Sequence, residues 1–332
     1  MLNRQFRLAA RPSGLPKPSD WKLTEEPVRP PADAEVLVRA KYISLDPAMR
    51  GWMNDVKSYV PPVALGEVMR AGGVGEVLES KHPSLKPGDF VHGSFGVQTH
   101  ATLPGTAVTK LDPSFAPLPV FLGTLGMPGM TAYFGLLDVG QPKEGETVVV
   151  SGAAGAVGTV VGQIAKIHGC RVIGIAGGKR KCDYLVDELG FDAALDYKAG
   201  DLKAALREHC PKGVDVYFDN VGGPILDIVL TRLARKARIV ICGAISQYNN
   251  TQPTEGPRNY MSLLVFRARM EGMVVFDYVD RFPQALEALS GWLASGKLKT
   301  REEIVHGIDR FPEALLMLFK GENLGKLVLQ VD

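Results

Sequence analysis

Cysteine is scarce in this 332-residue chain, and none occurs before Cys170. The four cysteines are widely spaced: Cys170, Cys182, Cys210 and Cys242. No pair has the spacing of a zinc or redox motif, and the number is too small for a disulfide framework in a chain of this length. We therefore expect reduced cysteines, as in a cytoplasmic protein.

An excess of charge of one sign is also missing. The chain has 38 Lys and Arg against 36 Asp and Glu, and its formal net charge is +2 at pH 7. The charges are interspersed, so neither a nucleic acid nor a membrane surface is predicted as a partner. The sequence has no apolar run long enough for a membrane span or the core of a signal peptide. Its length predicts about two domains.

The most informative segment that is present runs from Thr147 to Gly158. A β-branched run predicts a buried strand, and glycines then recur at Gly152, Gly155 and Gly158 before an amphipathic helix. Such glycines let the backbone approach a pyrophosphate, to which the helix N-terminus presents N–H groups. We predict a dinucleotide-binding turn. The alternative is a small-residue turn without a ligand, because the spacing differs by one position from the commonest fingerprint.

The next predicted strand, residues 171–176, is followed by cations rather than by an acid. NAD sites usually carry an Asp or Glu there for the ribose hydroxyls. No acid occurs between Gly158 and Asp183, whereas Lys179, Arg180 and Lys181 follow the strand. This pattern favours NADP(H), with the three cations competing for the ribose phosphate. A solvated basic turn is the alternative.

The predicted elements change character along the chain. The first part contains short strands separated by Gly and Pro turns, which is typical of a compact barrel-like domain. From about Met127, strands alternate with amphipathic helices, a pattern that predicts a doubly wound parallel sheet. We predict a β-rich domain of residues 1–125 with 296–332, and a Rossmann domain of residues 126–295.

At this point the chain resembles the medium-chain dehydrogenase/reductase superfamily, and within it the zinc-independent leukotriene hydroxydehydrogenase or prostaglandin (alkenal double-bond) reductase branch. The motifs that carry the resemblance are Leu45–Arg50, Gly66–Met69, Gly126–Tyr133, Phe218–Gly223, Cys242–Asn249 and Asn323–Lys326. They are spread from about residue 40 to the C-terminus. The resemblance implies a GroES-like first domain and NADPH-dependent reduction of the carbon–carbon double bond of α,β-unsaturated ketones or aldehydes.

The resemblance also implies a set of NADP(H)-binding residues. It places the pyrophosphate at Gly155, Ala156, Val157 and Gly158, and the ribose phosphate at Lys181, beside which Lys179 is our further candidate. Other members of the site would be Tyr197, Asn220, Cys242, Gly243, Ala244, Ile245, Ser246, Gln247, Tyr248, Met273, Val274, Val275 and Asn323. Met127 and Thr131 would lie near the nicotinamide.

Zinc is not expected. Zinc-dependent relatives hold the metal with Cys and His ligands, but the first domain has no cysteine, and His82, His92 and His100 lack ligand spacing. The adjacent pair Gly66 and Glu67 also lacks the intervening His of a zinc enzyme. Without a Lewis acid, alcohol oxidation becomes an unfavourable reaction for this chain.

Tyr248 is the candidate catalytic residue. Conjugate hydride addition leaves negative charge on the substrate carbonyl oxygen, and a hydrogen-bond donor such as a tyrosine hydroxyl stabilises that charge. The alternative is that Tyr248 only packs on the cofactor. Tyr59 and Tyr260 are candidate substrate contacts. Arg50 is a third candidate, for a substrate carboxylate, although a local ion pair with Asp46 is the better expectation.

The sequence is compatible with two further functions. A quinone oxidoreductase would use the same cofactor without zinc, and a non-catalytic NADPH-binding protein would keep the fold but not the activity. The segment Glu271–Phe276 predicts an exposed apolar strand at the edge of the sheet, and such an edge favours pairing with a second copy. We therefore predict a homodimer. The sequence does not identify the physiological substrate.

Overall fold

The computed structural model describes residues 1–331. The strands are β1 (Leu2–Leu8), β2 (Trp21–Pro27), β3 (Glu35–Ser44), β4 (Gly72–Ser80), β5 (Phe90–Ser94), β6 (His100–Pro104), β7 (Val108–Leu111), β8 (Thr147–Ser151), β9 (Arg171–Ala176), β10 (Ala193–Asp196), β11 (Val214–Asp219), β12 (Leu233–Ile241), β13 (Arg269–Gly272), β14 (Glu302–His306) and β15 (Lys326–Gln330).

The α-helices are α1 (Ala48–Trp52), α2 (Met127–Phe134), α3 (Ala156–Ile167), α4 (Lys179–Asp183), α5 (Leu202–His209), α6 (Gly223–Leu230), α7 (Ser262–Phe266), α8 (Phe282–Ala294) and α9 (Phe311–Lys320). Helices α2 and α4 continue directly as π-helical segments, Gly135–Gly140 and Tyr184–Glu188.

The chain divides into two compact units. Unit 1 consists of Met1–Leu122 together with the chain from Glu302 onward, and unit 2 consists of Gly123–Arg301. In unit 1, a seven-stranded sheet has the order β14-β15-β3-β4-β5-β7, with β6 paired to β3, and β1 and β2 form a separate pair. The last strand returns to this unit because Val328–Gln330 pairs antiparallel with β3.

Unit 2 is built on a six-stranded parallel sheet of order β10-β9-β8-β11-β12-β13. Numbered from β8, this is the order 3-2-1-4-5-6 of the Rossmann fold, so the doubly wound sheet predicted from the sequence is confirmed. Val148, Val149 and Val150 of β8 are fully buried, as expected for a central parallel strand covered on both faces. The strand order reverses between β8 and β11, and the carboxyl ends of these strands define the expected ligand crevice.

Three local predictions need correction. The apolar pattern after Gly158 predicts Ile167 on the buried face of the helix, but Ile167 is only half-buried, because it belongs to the last turn of α3. The amphipathic pattern also predicts a helix over residues 223–234, but that helix ends at Leu230, since β12 already begins at Leu233. The predicted apolar edge strand is instead β13, with the sequence Arg-Met-Glu-Gly; it is indeed at the sheet edge, but it is mostly exposed and polar.

Candidate cofactor and active site

The glycine turn after β8 leaves an uncapped helix N-terminus. Gly152 has a φ of +58°, which favours glycine, and a Cβ on Gly158 would lie 2.4 Å from the Gly152 carbonyl oxygen. Gly155 is the N-cap of α3 and supplies no side-chain cap, and no acid lies in the first turn. The half-buried backbone at Ala156 and Val157 therefore presents N–H groups at the positive end of the helix dipole, where an anion fits.

Asp219, the last residue of β11, organises the adjacent strand ends. Its buried Oδ1 accepts hydrogen bonds from Ser151 Oγ at 2.8 Å and from Tyr217 Oη at 2.8 Å. The backbone N–H groups of Val221 and Gly222 donate to the same oxygen at 3.0 and 2.9 Å. This carboxylate therefore fixes the turn after β11 against the end of β8.

Asn220 joins that turn to the glycine turn. Its Nδ2 donates to the Ser151 carbonyl oxygen at 2.8 Å, and its backbone N–H donates to Ser151 Oγ at 3.0 Å. A Cβ on Gly152 would lie 3.3 Å from the Asn220 Cβ. The structure thus brings the predicted residue Asn220 beside the predicted pyrophosphate turn.

The segment after β12 folds over the turn after β11. Cys242 and Gly243 donate their backbone N–H groups to the Asp219 carbonyl oxygen at 2.9 and 3.1 Å. Ile245 donates to the Asn220 carbonyl oxygen at 3.2 Å, and Ser246 Oγ donates to the Val221 carbonyl oxygen at 2.6 Å; Gln247 closes the turn by donating to the Ala244 carbonyl oxygen. The predicted run Cys242–Tyr248 is therefore gathered at the carboxyl edge of the sheet.

Tyr248 lies at the end of this segment, with its hydroxyl over the backbone. Tyr248 Oη accepts the Ala244 N–H at 3.1 Å, and a Cβ on Gly243 would lie 2.9 Å from that oxygen. A phenol that accepts one hydrogen bond can still donate its own proton. Gly243 is needed here because a larger residue would displace the hydroxyl.

The Cys242 thiol, at the start of this segment, is not a nucleophile. Burial, with a contribution from the Asp219 carboxylate, raises the pKa of Cys242 to about 12. The thiol is therefore protonated at neutral pH, while the thiolate is the reactive form of cysteine. Cys242 belongs to the wall of the site and not to its acid–base chemistry.

The turn after β9 separates the predicted cations. Lys179 is paired with Asp183 one helical turn away, at 2.6 Å, and its side chain is 85% exposed. Lys181 is half-buried on the same short helix, α4. Lys179 is therefore much more exposed than Lys181.

The sequence analysis predicted Tyr197 at this turn but missed Lys198 and Asp196. A Cβ on Gly177 would lie 2.9 Å from Tyr197 Oη and 2.9 Å from Lys198 Cε, so both side chains lie against the turn. The Lys198 ammonium is 5.9 Å from the Tyr197 ring centroid. Asp196 Oδ1 accepts the Gly178 N–H at 2.9 Å and thereby holds the turn in place. Lys198 could have been found from the sequence because it follows Tyr197 directly, just after β10.

Met127 and Thr131, predicted near the nicotinamide, and the predicted cofactor segment Met273–Val275 belong to other elements of unit 2. Met127 begins α2 and is 37% exposed, and Thr131 Oγ1 donates to the Met127 carbonyl oxygen at 2.8 Å. Met273 and Val275 are buried, and Val274 is half-buried. The Met273 N–H donates to the Ile241 carbonyl oxygen at 3.1 Å, which fixes this segment beside the end of β12.

Three predicted contacts lie in unit 1. Tyr59 is 54% exposed in a loop, whereas the Asn323 amide is buried and donates to the Gly325 carbonyl oxygen at 3.0 Å. Arg50 is also buried, and it donates to the carbonyl oxygens of Gly14 and Pro12, each at 3.0 Å.

Arg50 therefore has a structural role that replaces the predicted substrate contact. It also donates to Asn54 Oδ1 at 2.6 Å, and these internal acceptors hold the N-terminal loop against α1. The expected Arg50 partner, Asp46, is paired with the buried Lys326 ammonium at 2.7 Å. In unit 2, Tyr260 is 59% exposed in the turn before α7.

Within residues 1–331, no three His, Cys, Asp or Glu side chains lie close enough together to hold a metal ion. None of the helices in the same range has the length and apolar character to cross a membrane. All four cysteines are free thiols.

Comparison with known proteins identifies the family. Residues 4–111 match the N-terminal domain of oxidoreductase, and residues 156–291 match the family described as zinc-binding dehydrogenase. The chain is 51% identical to YfmJ of Bacillus subtilis, which is named an NADP-dependent oxidoreductase, over 99% of this chain and 98% of the relative. It is 45% identical to an NADPH-dependent curcumin reductase of Escherichia coli, over 99% and 97% of the two chains.

Two further similarities extend over the same length. A 2-alkenal reductase (NADP⁺-dependent) of Nicotiana tabacum is 44% identical over 99% of this chain and 98% of its own. The crystal structure of CurA from Vibrio vulnificus in complex with NADPH superposes with a TM-score of 0.94 at 45% identity, over 99% of both chains. The chain therefore belongs to the medium-chain dehydrogenase/reductase family, in the branch of the NADP-dependent alkenal and curcumin reductases.

Proposed function

We propose that this protein reduces the carbon–carbon double bond of α,β-unsaturated ketones and aldehydes with NADPH. The observation that carries the proposal is the similarity of the whole chain, at 44–45% identity, to an NADPH-dependent curcumin reductase and a 2-alkenal reductase. The uncapped start of α3 and the Tyr248 hydroxyl in the segment after β12 would supply the binding and donor groups that this reaction needs.

The residues of unit 2 fit the cofactor. The pyrophosphate would lie at the Gly155–Gly158 turn and be held by the backbone N–H groups of Ala156–Gly158, where no side-chain cap or first-turn acid competes with it; the Gly155 N–H donates to the Gly152 carbonyl oxygen at 3.0 Å. The ribose phosphate would be held by Lys181, with Tyr197 and Lys198 beside it at the Gly177 turn. The proposed set is completed in unit 2 by Asn220, the run Cys242–Tyr248, Met127, Thr131 and Met273–Val275; the family resemblance adds Asn323.

Tyr248 is proposed to stabilise charge on the substrate. NADPH, when bound, supplies the hydride that adds to the β-carbon. The negative charge then moves to the carbonyl oxygen, toward which Tyr248 Oη donates while it accepts the Ala244 N–H. A donor of this kind typically contributes roughly 2.7–4 kcal/mol to transition-state stability. The proton for the α-carbon would come from water.

The test follows NADPH absorbance with a simple enone, a quinone, and a secondary alcohol plus NADP⁺. Each assay is repeated with NADH and with a chelator. The proposal expects rapid, chelator-insensitive consumption of NADPH with the enone and a saturated ketone as product. Consumption with the quinone alone would replace the proposal by a quinone oxidoreductase. Alcohol oxidation that is lost on chelation would establish a zinc enzyme instead, and binding without turnover of any substrate would point to a non-catalytic role.

We further propose a cytoplasmic homodimer. Four free thiols support the reducing compartment. The dimer is supported by β13, which is an end strand of the unit 2 sheet, and by exposed apolar side chains that precede it at Tyr260, Met261, Leu264 and Val265. Two copies related by a twofold axis would cover the same patch on each other.

A further inference from the structure

Unit 1 contains a cavity of about 270 Å³ that the proposed chemistry does not use. Its lining combines apolar side chains, Val63, Val68 and Phe95, with the charged side chains Glu67 and Arg70. Val63 and Phe95 are almost fully buried, so the accessible lining of the cavity is mostly polar. The volume is that of a small pocket, large enough for the end of a small molecule.

The Arg70 guanidinium is fixed by neighbouring groups but has no acidic partner among residues 1–331. Its Nη1 donates to the Pro61 carbonyl oxygen at 2.9 Å, and its guanidinium carbon is 5.5 Å from the Trp52 ring centroid. No carboxylate of residues 1–331 lies within ion-pair distance of it, whereas the arginine at position 39 is paired with Glu76 at 2.7 Å. Arg70 is half-buried, and a guanidinium fixed in this way favours an acceptor with two oxygens.

Glu67 restricts the ligand that this cation accepts. Its Oε2 accepts the Ala64 N–H at 2.7 Å, so its carboxylate is fixed on the cavity wall. Because the two charges are opposite, the cavity suits a ligand with one negative charge and repels a second. The half-buried Val68 would contact the hydrocarbon part of such a ligand.

We propose that this cavity binds the carboxylate of a small organic monoacid, with Arg70 as the receptor. The acid is either the carboxylate end of the enone substrate or a separate small molecule. The two sources share the same chemistry, and the experiment below distinguishes them. Arg70 would thus bind the carboxylate for which the sequence analysis had suggested Arg50.

Calorimetric titration of the full chain with pentanoate and with pentanamide tests the receptor directly. Hydrogen bonds to a charged group predict that the acid binds at least about tenfold more tightly than the neutral amide. Arg70→Gln should abolish this difference and Arg70→Lys should reduce it. Arg39→Gln, the matched control, should retain it. Equal affinities for acid and amide, no binding of either at millimolar concentration, or an unchanged preference in Arg70→Gln would overturn the proposal.

A second variant checks the role of Glu67. Glu67→Gln should tighten pentanoate binding several-fold and should admit the dianion glutarate, which the wild-type protein should exclude. Melting temperatures of all variants verify folding. Wild-type affinity for glutarate equal to that for pentanoate would contradict a site selective for one charge.

Kinetics separates the two sources of the acid. If the substrate carries it, kcat/KM for a carboxylate-bearing enone exceeds that for its methyl ester, and Arg70→Gln removes the excess while the ester is turned over normally. If the acid is a separate ligand, the two enones are turned over alike and pentanoate still binds. Because calorimetry needs no turnover, loss of the proposed enone activity leaves the test of the cavity intact.

Discussion

At the scale of single residues, Asp219 connects the fold to the site. Four donors converge on its buried Oδ1, and two more backbone N–H groups bind its carbonyl oxygen. We expect Asp219→Ala to lower the free energy of unfolding by about 3–5 kcal/mol, because buried donors lose a charged acceptor. Tyr217→Phe removes one donor and should cost about 1–2 kcal/mol. Urea denaturation measures both, and equal losses would contradict the central role of the carboxylate.

Tyr248 is expected to act on turnover rather than on binding. Tyr248→Phe keeps the ring but removes the donor, so kcat for an enone should fall roughly 10²–10³-fold. The dissociation constant of NADPH should change little. Stopped-flow turnover and fluorescence titration measure the two quantities. Unchanged turnover would restrict Tyr248 to packing against the cofactor.

The two lysines of α4 provide a matched pair for cofactor selectivity. Lys181→Ala should raise the KM for NADPH at least about tenfold, because a charge-assisted contact to the ribose phosphate is lost, and should leave the KM for NADH unchanged. Lys179→Ala should have little effect, since that ammonium is exposed and paired with Asp183. A larger effect for Lys179 would reverse the assignment.

At the scale of elements, the strand–turn–helix unit of residues 147–167 depends on how closely α3 approaches the end of β8. Gly158→Ala would place Cβ 2.4 Å from the Gly152 carbonyl oxygen and 2.7 Å from the Ala153 Cα. The backbone would have to move, at a cost of roughly 1–3 kcal/mol. In Gly155→Ala the nearest atom, the Gly152 carbonyl oxygen, is 3.2 Å away, so a smaller shift is needed than in Gly158→Ala, while the pyrophosphate cradle is narrowed.

These two glycine variants should therefore separate stability from binding. Thermal denaturation should report a larger decrease in melting temperature for Gly158→Ala than for Gly155→Ala. NADPH titration should report weaker binding for Gly155→Ala. Wild-type affinity in Gly155→Ala would show that the phosphate does not rest on this residue.

Elements with a local sequence signal could be predicted, whereas elements held by distant partners could not. Val148–Val150 are buried on both faces, and this uniform apolar run is a local signal that identified β8 without tertiary information. The edge strand β13 was placed too late, because its Arg-Met-Glu-Gly sequence has no strand periodicity and is held by pairing with β12. The sequence also could not show whether Arg50 or Arg70 has a structural role. Burial and hydrogen-bond partners distant in sequence decide which guanidinium stabilises the fold.

At the scale of the whole molecule, the proposed dimer predicts that charged substitutions on α7 separate the two copies. Leu264 and Val265 are 68% and 59% exposed on α7, and a monomer would leave this apolar surface in water. The double variant Leu264→Glu/Val265→Glu places four like charges across a twofold interface and should give a monomer at micromolar concentration. Light scattering measures the mass. Val56→Glu, at a position 59% exposed in unit 1, is the control that should stay dimeric. A monomeric wild-type protein would contradict the dimer, and a dimeric double variant would place the interface on another surface.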